Sequence, residues 1–238
     1  VGLDYDEIKD LSPFELSGGM KQRLGIDSEP TTRTSLMGMM ALDEALGEAG
    51  LWNASDGSPV GDTRVALVSG TTVGGMDKSE QYYRDFLEND THNDYILTHD
   101  CGATTELMAR RFPRSKGSSV PPSGLFSIVM TPSTACSSAA NAFVVGANLL
   151  RSGLADIAVV GGAECISRFH LNGFNSLMII DHGQCRPFDA YRAGLNLGEG
   201  AAYMVLESAS HARCRGVRTL ACLAGYGKLL IRRDDIDL

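Results

Sequence analysis

One cysteine lies where its surroundings favour chemistry at sulfur. Cys136 sits in the segment STACSSAAN (133–141), between an apolar run at 126–131 that predicts a strand and a predicted helix at 137–151. A helix N-terminus offers free backbone N–H groups and partial positive charge, which stabilise a thiolate and a developing oxyanion. The small neighbours leave room for a bulky acyl group. The pattern therefore predicts a nucleophile, and the alternative is a buried small residue, a common role of free cysteine.

The elements around this segment follow the order of an α/β protein. Predicted strands lie at 64–69, 126–131, 157–161, 201–207 and 219–225, and predicted helices at 34–49, 77–89, 103–112, 137–151 and 208–215. The strands at 126–131 and 157–161 with the helix between them form a βαβ unit, which implies a parallel sheet covered on both faces. We therefore expect an α/β fold built in layers.

Composition excludes several classes of function. The chain has 238 residues, 43% of them hydrophobic, so it can bury a substantial core. Its net charge of -8 argues against general nucleic-acid binding. No apolar run approaches the roughly 18 residues of a membrane span. The 6 cysteines form no CxxC pair and no signal peptide begins the chain, which favours a reduced cytoplasmic protein.

Two other chemistries fit the sequence poorly. The segment HGQC (182–185), with Cys165 and His170 nearby, offers zinc-type ligands, but their spacing matches no common zinc site. The loop GTTVGG (70–75) lacks the Gly-Lys-Ser/Thr ending of a phosphate loop. We therefore expect neither a metal nor a bound nucleotide.

Four segments resemble one family in the same order along the chain. STACSSAAN is similar to the active-site segment of the β-ketoacyl-acyl carrier protein synthases, condensing enzymes of the thiolase-like superfamily. CRPFDAYRAGLNLGEGAA (185–202) resembles that family's RPFD…GEGA block, and GTTVGG and VVGGAE (159–164) agree with it. The resemblance implies the amino-terminal half of a layered α-β-α-β-α fold with a mixed, mostly parallel sheet.

The same resemblance divides the chain into three parts. Residues 1–30 are expected to form a peripheral cap, and 31–227 the amino-terminal ketosynthase domain. Residues 228–238 are expected to begin the carboxy-terminal half, which is truncated here.

The resemblance also implies an activity. Cys136 would accept an acyl group from acyl carrier protein or coenzyme A. Decarboxylation of malonyl-acyl carrier protein would then give a carbanion that attacks the acyl thioester, yielding 3-oxoacyl-acyl carrier protein. The implied partners are acyl carrier protein, acyl and malonyl thioesters and a second copy of the chain. No cofactor is implied beyond the phosphopantetheine that carries the substrates.

One alternative belongs to a different class of function. A non-catalytic ketosynthase-like subunit would bind acyl carrier protein or a partner ketosynthase. Because such partners usually lack the cysteine, the presence of Cys136 favours the catalytic interpretation.

The family uses two histidines from its second half, and this sequence matches neither. Its histidines are His92, His99, His170, His182 and His211. None lies in an HGTGT-type motif, although DDIDL (234–238) resembles the strand that precedes it. We therefore expect the 238 residues alone not to complete condensation.

Three further groups carry weaker expectations. Phe174 and Met178 belong to an apolar group after VVGGAE that lines an acyl tunnel or a dimer contact, or is plain core. Gly198 and Gly200 are expected to adopt backbone conformations closed to larger residues. Arg186, Asp189, Arg192 and Glu199 are expected to form pairs of opposite charge that hold this long connection against the sheet.

Overall fold

The computed structural model describes residues 31–53, 58–59, 63–90, 92, 94–112 and 124–227. The expected cap at 1–30 and the segment 228–238 lie outside the described residues.

The order of helices and strands follows the prediction closely. The elements are α1 (Arg33–Glu48), β1 (Trp52–Asn53), β2 (Ser58–Pro59), β3 (Val65–Gly70), α2 (Met76–Asn89), a 3-10 helix (Asp94–Thr98), α3 (Cys101–Arg110), β4 (Phe126–Met130), α4 (Ser138–Arg151), β5 (Ile157–Glu164), α5 (Arg168–Ser176), β6 (Gly200–Glu207) and α6 (Ala209–Arg215). Helix α5 was not among the predicted elements.

The main sheet has the strand order β4-β3-β5-β6. Strand β3 pairs in parallel with both β4 and β5, and β6 runs antiparallel to β5. The expectation of a mixed, mostly parallel sheet is therefore confirmed. Strands β1 and β2 form a separate antiparallel pair.

Each face of the sheet is covered by helices. Successive residues of a strand point to opposite faces, and β3 and β5 accordingly contribute to two cores. Val65 and Leu67 pack with residues of α1 and α3, whereas Ala66 and Val68 pack with residues of α4. Fully burying one such Val or Leu side chain contributes about 1.5–3 kcal/mol. The described residues thus supply a helix layer, a sheet and a second helix layer, as a βαβ unit requires.

The strand predicted at 219–225 is wrong. These residues have no regular secondary structure, and Leu220 and Leu223 are exposed. A strand exists only where a neighbour accepts its hydrogen bonds, and within the described part of the chain β6 has no partner on its outer edge. The residue types at 219–225 favour a strand, but they cannot replace a neighbouring strand that would pair with it.

No helix within the described ranges is both long and apolar enough to cross a bilayer.

Candidate active site

The thiol of Cys136 lies in the tight turn between β4 and α4. Its side chain is exposed, and α4 begins two residues later at Ser138, after the N-cap residue Ser137. The residue before it, Ala135, has a φ of 54°. A left-handed conformation costs an L-residue other than glycine about 1–2 kcal/mol. Neighbouring groups must therefore hold the turn in place, as is common at functional sites.

Ser138 is the first of these groups. It is buried, with 4% of its surface exposed. Its hydroxyl accepts a hydrogen bond from the Thr134 N–H at 2.9 Å and donates one to the Ala135 carbonyl at 2.6 Å. One side chain therefore closes the turn on both sides of the strained residue. Sequence reasoning missed this role, because it treated Ser138 only as a small neighbour.

Asn141 holds the turn from the next turn of α4. Its amide Nδ2 donates to Thr134 Oγ1 at 2.6 Å and to Ser137 Oγ at 3.2 Å. The Ser137 hydroxyl in turn donates to the Thr134 carbonyl at 2.9 Å. These contacts tie Thr134 to the helix and leave Cys136 projecting from the turn. The spacing of polar residues in STACSSAAN is the signal that could have predicted them.

Two glycines allow the sheet to approach the first turn of α4. A Cβ on Gly70 would lie 2.5 Å from Ala139 N and 2.6 Å from Ser138 O. A Cβ on Gly162 would lie 2.6 Å from the Gly70 carbonyl oxygen and 3.2 Å from Ala139 Cβ. The loops GTTVGG and VVGGAE therefore frame the helix that follows the thiol, which gives their glycines a specific role.

A carboxylate anchors the loop after β3. Glu164, the last residue of β5, accepts a hydrogen bond from Thr71 Oγ1 at 3.2 Å and another from the Thr72 N–H. The Thr72 carbonyl accepts a weak hydrogen bond from Ser133 Oγ at 3.5 Å. The loop at 70–75 is thereby joined both to the sheet and to the segment before Cys136.

The accessible thiol contrasts with a buried one. Burial raises the pKa of Cys165 to about 12, so that side chain stays protonated at neutral pH and is a poor nucleophile. Cys136 is exposed and lies at the positive end of α4. Within the part of the chain that the structure describes, its thiol has no hydrogen-bond partner, and no histidine contacts it. The turn thus presents an exposed thiol at a helix N-terminus, with no imidazole beside it among the described residues.

Phe174 and Met178, the two residues expected to bind substrate, lie about 40 residues after this turn in sequence, and Met178 is much more exposed than Phe174. Phe174 is partly buried on α5, which packs against α2. Met178 is 90% exposed in a left-handed turn after that helix. Met178 is therefore not core, which corrects that interpretation. A role of Phe174 and Met178 in binding an acyl chain stays a prediction.

Two charged residues of the 185–202 block form ion pairs, and both have partners outside the block. Arg186 contacts Asp181 at 3.4 Å, and Arg192 donates to the Asp189 backbone carbonyl rather than to its carboxylate. Glu199 pairs with Arg33 at the start of α1, with Arg33 Nε 2.9 Å from Glu199 Oε2. That hydrogen bond lowers the pKa of Glu199. Glu199 thus ties the block to α1, which packs against the sheet, while the Arg192–Asp189 contact lies within the block.

The expectation for Gly198 and Gly200 is wrong. Neither is among the described glycines with a left-handed φ, and a Cβ at either position would meet nothing within 4 Å. Their surroundings therefore accept a larger side chain. Among the described glycines, those with a left-handed backbone are Gly50, Gly74, Gly153 and Gly216.

The HGQC segment forms no recognisable metal site. Over the described ranges, no group of three His, Cys, Asp or Glu side chains is placed to hold a metal ion.

A thiol that is exposed in a strand-to-helix turn, beside a helix N-terminus, is suited to covalent chemistry at sulfur. The sequence model described as beta-ketoacyl synthase, N-terminal domain, matches residues 24–212. The chain belongs to the beta-ketoacyl synthase family.

Curated relatives match most of this chain. Nodulation protein E of Rhizobium meliloti (strain 1021) is 33% identical over 230 residues, covering 95% of this chain and 52% of that protein. The putative polyketide beta-ketoacyl synthase 1 of Streptomyces halstedii is 30% identical, covering 85% of this chain and 49% of that protein. The chain therefore spans about half the length of these relatives.

Solved structures agree with the fold. The structure of the ishigamide ketosynthase/chain length factor is similar to this chain with a TM-score of 0.66 and 26% identity, covering 79% of this chain and 44% of that one. The layered fold expected from the sequence is thereby confirmed as that of a ketosynthase.

Proposed function

We propose that this chain carries the acyl-accepting site of a ketosynthase, with Cys136 as the nucleophile. The observation that supports the proposal is an exposed thiol in a strained turn, directly before a helix N-terminus. The thiolate attacks the carbonyl carbon of an acyl thioester and forms a new carbon–sulfur bond. The thiolate of phosphopantetheine or coenzyme A leaves and takes up a proton.

The full reaction of the proposed enzyme is a decarboxylative Claisen condensation. The acyl group on Cys136 is attacked by the carbanion that forms when malonyl-acyl carrier protein loses CO₂. The product is 3-oxoacyl-acyl carrier protein, and the Cys136 thiolate is released. The residues that the structure describes supply the first of these two steps, the acylation of Cys136, because they place a thiol and no imidazole at the turn.

The proposed partners follow from this chemistry. Acyl carrier protein presents the acyl and malonyl groups, and a second copy of the chain or a related ketosynthase subunit completes the assembly. The structure of a ketosynthase/chain length factor among the similar proteins supports such a subunit. All 6 cysteines are free thiols, which supports a place in the reducing cytoplasm.

The test separates an acyl-accepting subunit from one that only binds the carrier. The purified chain is incubated with a cerulenin-like epoxide, or with an acyl-loaded carrier protein, and digested for peptide mass spectrometry. We expect the modification on the peptide that contains Cys136. Carrier-protein binding without modification of Cys136 would support the non-catalytic alternative, and equal modification of all exposed cysteines would refute the proposal.

The matched control is Cys185, which is also exposed but lies in the connection before β6. Cys185→Ser is expected to leave the labelling of the Cys136 peptide unchanged. Cys136→Ser is expected to remove it while the fold persists, because the side chain is exposed and makes no hydrogen bond within the described part of the chain.

A further inference from the structure

We propose that Thr105 on α3 is a positioning residue for acyl transfer, because it fixes the segment that leads from β4 to Cys136. The inference rests on the proposed function. The key contact joins two hydroxyl groups: Thr131 Oγ1 donates to Thr105 Oγ1 at 2.7 Å. Thr105 is fully buried, and Thr131 is partly buried directly after β4. Water therefore has little access to replace the contact once it is broken.

A second contact lies one helical turn away. The thiol of Cys101 is 3.6 Å from Ser133 Oγ and 3.6 Å from the Thr72 carbonyl oxygen. Residues four apart share one face of a helix, and residues two apart share one side of an extended chain. One face of α3 therefore contacts one side of the segment 131–133: Cys101 contacts Ser133, and Thr105 contacts Thr131.

Helix α3 is itself firmly placed. Its residue Met108 is fully buried in the core beneath the sheet. At the other end, Gly74 has a φ of 57°, and a Cβ there would lie only 2.8 Å from Cys101 Cα. The helix is thus fixed between the core and the loop at 70–75, so it is a rigid reference for the segment 131–133.

The turn at Cys136 is consequently held from two directions. Ser138 and Asn141 hold it from the α4 side. Thr105 holds the incoming chain from the β4 side, five residues before the thiol. Loss of the Thr105 contact leaves the segment that precedes the turn less firmly held, while Cys136 itself is unchanged. An acyl thioester requires a defined direction of attack, so acylation depends on this position more than simple alkylation does.

The neighbouring residue Thr104 supplies a matched control. It is 1% exposed, and in the described residues its hydroxyl has no hydrogen-bond partner. Thr104→Val and Thr105→Val therefore make the same chemical change at adjacent buried positions. Only Thr105→Val removes a contact to the segment that carries Cys136.

The experiment compares two reactions at Cys136, each followed by peptide mass spectrometry: acylation by octanoyl-coenzyme A and alkylation by iodoacetamide. We expect Thr105→Val to slow acylation by about tenfold or more and to change alkylation by less than about twofold. Thr105→Ser, which keeps the hydroxyl, is expected to restore acylation, and Thr104→Val to match the wild type. Unchanged acylation in Thr105→Val, or no recovery in Thr105→Ser, would overturn the inference.

Amide hydrogen exchange separates this inference from the proposed function. If the wild type shows no acylation of Cys136, the proposed function fails. The exchange of the peptide 131–141 then decides the positioning role: it should accelerate in Thr105→Val and not in Thr104→Val or Thr105→Ser. Thr131→Val removes the same contact from the partly buried partner and is expected to give the same acceleration. Equal exchange in all variants would refute the contact.

Discussion

Gly70 at the end of β3 allows the sheet to reach the helix that follows Cys136, and Gly70→Ala tests that close approach. The added Cβ would lie 2.5 Å from Ala139 N and 2.6 Å from Ser138 O. Ordinary contacts of a carbon atom begin about 1 Å farther out. The atoms it would meet belong to the backbone of α4 and not to a flexible side chain. The first turn of α4 must therefore move away from the sheet by about 1 Å.

The magnitude follows from the cost of overpacking. Extra methyl groups in a packed core cost about 1–3 kcal/mol, and rigid backbone neighbours place this case near the upper limit of about 3 kcal/mol. For a chain of this size, that cost corresponds to a fall in Tm of about 6–12 °C. Because the turn before α4 carries the thiol, we also expect acylation of Cys136 to slow by about tenfold.

The assay uses the intrinsic fluorescence of a single tryptophan. Trp52 is the only tryptophan of the chain, is 2% exposed and lies 5.1 Å from the Phe112 ring centroid, so urea unfolding changes its emission. Gly102→Ala is the control, because a Cβ there meets nothing within 4 Å. It is expected to leave stability unchanged or to raise it by up to about 1 kcal/mol, since alanine favours a helix. A loss below about 1 kcal/mol in Gly70→Ala would refute the close approach.

Two further predictions concern the turn and the charge pair. Ser138→Ala removes two hydrogen bonds around Ala135 and is expected to lower the free energy of unfolding by about 2 kcal/mol, whereas Ser152→Ala at the exposed end of α4 should cost less than about 0.5 kcal/mol. Equal losses in urea titrations of the two variants would contradict the role of Ser138. The pKa of Glu199 is lowered by its hydrogen bond from Arg33, so the pair stabilises the fold above the ordinary glutamate pKa of 4.5, and this stability is lost as the pH falls through the lowered pKa. Glu199→Gln should therefore be less stable than the wild type at pH 7 and lose that difference on acidification, and a difference independent of pH would exclude the charge as its cause.

The local sequence pattern predicted most of the helices and strands, and it predicted the position of Cys136 between a strand and a helix. The apolar runs of β3 and β5 are long enough to mark buried strands, and the polar break at 131–137 marks the turn between β4 and α4. The position of Cys136 at a helix N-terminus depends only on those two neighbours in sequence. It was therefore predictable without any knowledge of the rest of the fold.

Contacts between residues far apart in sequence were not predictable in the same way. The pairing of Glu199 with Arg33 joins residues 166 positions apart, and the contact of Thr105 with Thr131 depends on how α3 crosses the sheet. The strand predicted at 219–225 failed for the same reason, since its residue types favour a strand but no neighbour within the described chain pairs with it. Residue type determines which contacts a side chain can make, and the packing of elements that are distant in sequence determines which of these contacts form.

We propose that Cys136 is the one cysteine of this chain that accepts acyl groups. The most direct test is acylation of the intact chain by an acyl-coenzyme A, measured by mass spectrometry in the wild type and in single Cys→Ser variants at positions 101, 136, 165, 185, 214 and 222. We expect one hydroxylamine-sensitive acyl group per chain, lost in Cys136→Ser and kept in the other five variants. Cys165 in particular should stay unmodified, because its pKa is raised to about 12. An acyl group that persists in Cys136→Ser, or that is lost in another variant instead, would contradict the claim.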